Sequence, residues 1–196
     1  MRATASLCRK VSALAGVLLF AACVITTEKA YFTESDFAQP KVLSGNWQKV
    51  PTKEDPEVLK VKLDVNGKLW RAQPLTDAGA VDTDEEPIDF GVVPLDAGRY
   101  VVAHSETDGS VSYVGLVAEE GKLDFYFFSG GESEDAETAF KGLLVDLEIS
   151  RDASFTSEAR LTGKNLSADK IKALFTELLD DPKKYEADVT EYVTMK

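Results

Sequence analysis

The stretch from Arg99 to Phe128 constrains the fold more than any other part of this chain. Arg99 to Glu106, Ser110 to Glu119 and Lys122 to Phe128 each read as a strand. Asp108-Gly109 and Glu120-Gly121 stand between them as two-residue hairpin signals. With tight turns at both places, one face collects Val101, Ala103, Val114, Leu116, Ala118, Leu123, Phe125 and Phe127. The other collects Tyr100, Val102, His104, Tyr113, Val117, Tyr126 and Phe128. An antiparallel sheet with one wet face alternates cleanly between apolar and polar residues. Here both faces are apolar. The sheet must therefore be covered on both sides, by the rest of a barrel and by a helix, or it must line a ligand cavity.

The flanking sequence supplies the rest of a meander. Leu59, Val61, Leu63 and Val65 alternate with Lys60, Lys62 and Asp64, the pattern of a half-buried strand. Asn66-Gly67 is a hairpin signal, and Lys68 to Gln73 is the return strand. That turn sets Leu63 opposite Trp70 and Val61 opposite Ala72. Asp77 to Pro87 is an acidic loop, and the spacing of Asp82, Asp84, Glu85 and Glu86 fits no calcium loop. Ser129 to Glu137 is a second loop and Ala136 to Gly142 a short helix. Leu143 to Ser150 and Ser154 to Thr162 are further strand candidates. Ser167 then caps a helix over about 167–180, in which Ile171, Leu174, Phe175, Leu178 and Leu179 share one face. Asp181-Pro182 stops it, and Val189 to Met195 is a closing strand. The expected fold is mainly β: one domain over 43–196, an antiparallel meander forming a small barrel with a C-terminal helix.

The N-terminus reads as an address. Arg2, Arg9 and Lys10 precede the apolar run Val11 to Ala22, and small residues Ala21 and Ala22 precede Cys23. This is the order of a secretory signal over 1–22. The run is shorter than the roughly 20 residues of a membrane span. Ala21-Ala22-Cys23 resembles the lipobox of bacterial lipoproteins, with Phe20 where that family usually has Leu. The resemblance implies cleavage before Cys23, a diacylglyceryl group on its thiol and an acylated amine. Val24 is not the Asp that retains such proteins in the inner membrane, which implies the outer membrane of a Gram-negative envelope, facing the periplasm. Residues 23–42 then read as a lipidated tether.

Leu43-Ser44-Gly45-Asn46-Trp47 resembles the Gly-x-Trp opening of lipocalins, within the calycin-like barrels. The resemblance implies a Trp that closes one barrel end, with Arg160 as the arginine that would cover it. The chain is also similar, over Gly45 to Lys196, to a group of uncharacterised small lipoproteins of Gram-negative bacteria. The shared segments are the Leu-x-Gly-x-Trp strand, Arg99-Tyr100-Val101-Val102, Leu123-Asp124-Phe125-Tyr126 and the helix of Leu166 to Leu179. That group implies fold and location and no activity.

Catalytic chemistry finds little purchase. A net charge of −12 argues against a nucleic-acid partner. One histidine and two cysteines cannot build a closed zinc site. His104 has no Gly-x-Ser-x-Gly partner motif, and Gly130-Gly131 lacks the Lys-Ser/Thr of a phosphate loop. No catalytic residue, metal or cofactor is expected. Trp47, Trp70, Tyr100, Tyr113, Tyr126 and Phe128 build either a core or an apolar ligand pocket. The expected function is that of a non-enzymatic envelope lipoprotein, attached through lipid on Cys23 and serving as a protein-interaction or structural module. The alternatives are a lipocalin-like carrier of a small apolar ligand and an inhibitor of a basic envelope-attacking enzyme such as lysozyme.

Overall fold

In the computed structural model, residues 24–53, 56, 58–128, 130, 133–152 and 159–195 are described. The signal sequence expected over 1–22 and the expected lipidation site Cys23 lie outside them. The chain opens with β1 (Ile25–Thr27). Seven strands follow: β2 (Gly45–Lys49), β3 (Lys60–Asn66), β4 (Leu69–Pro74), β5 (Ile88–Asp96), β6 (Arg99–Ser105), β7 (Val111–Glu119) and β8 (Lys122–Phe127). Helix α1 (Glu134–Asp146), β9 (Ser150–Arg151), β10 (Ala159–Thr162), helix α2 (Ala168–Asp180) and β11 (Asp188–Thr194) complete it.

Strands β2 to β8 each pair antiparallel with the next, and β11 fits between β8 and β2. The result is a closed, eight-stranded antiparallel barrel, mainly β and compatible with a lipocalin-like architecture. Helix α2 lies toward the C-terminus and the closing strand follows it, both as expected.

Eight strands leave an interior about wide enough for side chains to fill. Trp47, Trp70, Phe90, Leu116, Leu123, Phe125 and Tyr192 form this inner core, each almost wholly buried. Phe125 and Tyr192 meet edge to face at 5.7 Å. One barrel end is crossed by residues 38–43. Ala38 N–H donates to Val92 O (2.7 Å), Trp70 Nε1 to Ala38 O (3.1 Å) and Trp47 Nε1 to Leu43 O (2.9 Å). Leu43, at the end of a 3-10 turn, is fully buried with Trp47 in the inner core.

The two-sided burial expected of the central strands is present. Val102, Val114, Leu116, Phe125 and Phe127 point into the barrel. Val93, Val101, Ala103, Val111 and Tyr113 point outward into a second core. The buried face of α2 (Ile171, Leu174, Phe175, Leu178, Leu179) and Phe140, Leu143 and Leu144 of α1 cover it. Serines cap both helix starts, Ser167 as expected and Ser133 from within the expected loop: Ser133 Oγ accepts from Ala136 N (3.2 Å) and Ser167 Oγ from Lys170 N (3.4 Å). Strand β7 forks the sheet. Its residues 115–119 pair with β8, while 111–113 pair with β1, which continues into β10 and β9.

Several expectations are corrected. Residues 24–42 are not a free tether: Ile25 is fully buried in β1 and Phe32 is buried in the outer core. The loop after β3 is Gly67-Lys68, with Gly67 at φ 66°, so Leu63 faces Ala72 and Val65 faces Trp70. The slip is two residues and so keeps every side chain on its expected face. The β6–β7 loop is the three residues 107–109, ending in Gly109 at φ 87°. This one extra residue moves His104 from Tyr113 to Ser112 and exchanges the two faces of β6. Leu143 to Asp146 continues α1 and leaves only Ser150–Arg151 as strand. Of the strand expected from Ser154, residues 159–162 are described and form β10. Strand β5 was not anticipated, because Gly91 and Pro94 interrupt its alternation.

Replacing Trp47 with Ala should cost about 3–5 kcal/mol, since it empties the inner core and removes the bond to Leu43. Val145→Ala, at a side chain 73% exposed, should stay within about 0.5 kcal/mol. Urea unfolding of both variants checks the pair.

Candidate ligand cleft

A half-open cleft of about 540 Å³ lies on the outside of the barrel, between residues 30–37 and the outer side of β5, β6 and β7. That volume falls in the range of small-molecule sites. Thr33 and Asp36 shape the segment that walls it. The Thr33 amide (2.8 Å) and hydroxyl (3.0 Å) both donate to Asp36 Oδ2, holding that carboxyl below its usual range. This tight turn sets Phe32 on one side and Phe37 on the other. Phe32 packs edge to face on Tyr113 at 5.9 Å. A Cβ added at Gly91 would collide with the Phe37 ring, so the bare backbone of β5 is what admits Phe37.

The floor is apolar, from Gly91, Ala103, Val111 and Tyr113. Tyr113 accepts a bond from Thr27 Oγ1 at 3.2 Å, and burial pushes its phenol above the usual value.

The rim is polar. His104 Nδ1 lies 2.9 Å from the backbone carbonyl of Asp89. A carbonyl only accepts, so Nδ1 carries the proton and Nε2 is the acceptor in the neutral ring. Nε2 lies 4.0 Å from Glu106 Oε2. The other oxygen, Oε1, accepts from the hydroxyl of buried Ser112 at 2.7 Å. Asp89 itself is clasped by both ends of the Arg71 guanidinium at 2.7 Å, which holds its carboxyl below the usual range. Ser112 thus gives its proton to Glu106 and not to His104, and the contact that would activate a serine nucleophile is not made.

The expected aromatics do not converge. Trp47 and Trp70 belong to the inner core, with half-buried Tyr100 packed against it. Tyr113 and Phe128 belong to the outer core, with half-buried Tyr126 packed against it. Of the six, Tyr113 alone lines the cleft. Arg160 lies on β10 opposite Thr26, in the flanking sheet. Phe32, Phe37, Ser112 and Glu106 were missed, since their roles depend on segments far apart in sequence. Among the described residues no group of three or more His, Cys, Asp or Glu is placed to hold a metal ion. No described helix is long and apolar enough to cross a membrane. Comparison with known proteins returns no matching family model, no matching curated protein and no matching solved structure.

Gly91→Ala should destabilise the fold by about 1–3 kcal/mol through overpacking against Phe37, and much less in a Phe37→Ala background. A double-mutant cycle by urea unfolding measures this. The Arg71–Asp89 pair gives stability that is present above the usual carboxylate range near about pH 4 and is lost as pH falls through the lowered value. Arg71→Met should flatten that acid limb in a stability-against-pH series.

Proposed function

We propose that this chain is a non-enzymatic binding module of the cell envelope, attached through lipid on Cys23 and contacting its partner at the outer cleft. The observation that carries the reading is the division of space. Bulky side chains fill the barrel interior, so the lumen that a carrier would use is occupied by the protein itself. The cleft lies outside the barrel, walled by aromatic side chains and open on one side. A net charge of −12 supports a basic partner, whose approach it would accelerate. An inhibitor of a basic envelope-attacking enzyme is one form such a module takes. A small apolar ligand is the second reading, supported by the apolar floor, and it would occupy the cleft.

Lipidation has a specific consequence for this fold. Ile25 is already fully buried in β1, two residues after Cys23. A lipid on Cys23 would therefore hold the domain close against the bilayer, without a spacer. A single acyl chain anchors marginally, and two or more anchor stably. The proposed home is the outer membrane of a Gram-negative bacterium, with the domain facing the periplasm.

Intact mass of the native protein from membranes tests the anchor: a three-chain acyl increment on Cys23 is expected, and Cys23→Ser should shift the protein to the soluble fraction. An unlipidated chain found in the soluble fraction would overturn it. Native mass spectrometry on the same sample tests the second reading, which requires a non-covalent mass that is lost on denaturation.

A further inference from the structure

The cleft rim presents an unusual pair. His104 Nε2 and Glu106 Oε2 face each other at 4.0 Å, and in the neutral state of the ring both are acceptors. Neither is free to turn away. Nδ1 is committed to the Asp89 carbonyl and Glu106 Oε1 to Ser112, itself buried at 4% exposure. Two fixed acceptors at that separation leave a position within hydrogen-bond distance of both for one strong donor. His104 and Glu106 line the same cleft as the apolar Ala103, Val111 and Tyr113 and the Phe32 and Phe37 rings.

We infer that this cleft binds a primary ammonium group carried on an apolar body, the ammonium bridging His104 Nε2 and Glu106 Oε2. The inference rests on reading the cleft as the binding face and names the chemistry it selects. A carboxylate is excluded by the same geometry, because it brings only acceptors to an anionic rim. A neutral alcohol has a single proton and can satisfy one of the two acceptors. The ammonium has three protons and a charge opposite to that of Glu106.

The test uses the full chain, isotope-labelled, with phenethylammonium, phenethyl alcohol and phenylacetate as probes of matched body. Phenethylammonium should move the amide signals of Gly91, Ala103, His104 and Tyr113, with an affinity at least about tenfold above that of the other two. Glu106→Gln should remove that preference while leaving alcohol binding in place. His104→Leu, which removes the Nε2 acceptor, should weaken phenethylammonium binding by about tenfold. Equal binding of all three probes, unchanged by Glu106→Gln, would overturn the ammonium and leave the cleft standing as an apolar site. If no probe moves the cleft amides, both readings fall. An acetylated Phe-Lys-Leu amide separates the sources. Binding about tenfold tighter than phenethylammonium assigns the ammonium to a lysine on a partner protein, and equal or weaker binding assigns it to a free amine.

Discussion

Everything in this molecule depends on β7 being buried on both sides. Val114, Leu116 and Ala118 face the barrel interior, while Val111 and Tyr113 face the helices. A strand of this kind joins two cores that would otherwise be independent, so distortion of either is felt in the other. The fork along its edge adds a second coupling. One half of the strand completes the barrel with β8, and the other half carries β1 and the flanking sheet. Tyr113 stands at this junction, touching both Phe32 and Phe175, and forms part of the cleft floor. The site is thus built on the most constrained strand of the structure, which favours a preformed cleft over one shaped by its occupant.

Much of this was legible in the residues. The helix ending at Asp180 declared itself through its cap and five apolar positions, all buried as expected. The two-faced central sheet followed from alternation alone, and so did the closing strand. The failures have a common cause. Hairpin signals locate a turn but do not count its residues, and Gly109 ends a loop one residue longer than the dipeptide rule assumes. That residue exchanged the faces of β6. Residues 24–42 lacked a period because their order comes from tertiary partners: β7 and β10 for β1, and Val92 and Trp70 for Ala38. Leu143 to Ser150 reads as strand by composition, but the run from the Ser133 cap carries the helix through Asp146.

The cleft was not legible, and could not have been from local pattern. Its walls come from residues near 32–37, 86–91, 103–107 and 111–113, brought together by barrel closure. The lone histidine sits opposite Ser112, where a two-residue turn would have put Tyr113. The carboxylate beside it is Glu106, two positions along the same chain. A sequence reader passes over such a pair, because along a regular strand residues i and i+2 share a face without being held in contact. Here the turn that begins at Glu106 and the hydroxyl of Ser112 fix the distance.

The order of barrel strands has one more consequence, for how the chain reaches this state. The strand that seals the barrel, β11, pairs Thr194 with Trp47 and comes after both helices. Until it docks, the first seven barrel strands form a curled sheet with β2 and β8 as bare edges, each able to pair with a second chain. Contacts this distant in sequence form slowly, since a long loop must close before they reward it. A chain emerging N-terminus first therefore leaves those two edges unpaired until the last strand is made, and strand exchange is the hazard of that arrangement. The final few residues of the sequence act as the latch that ends that interval.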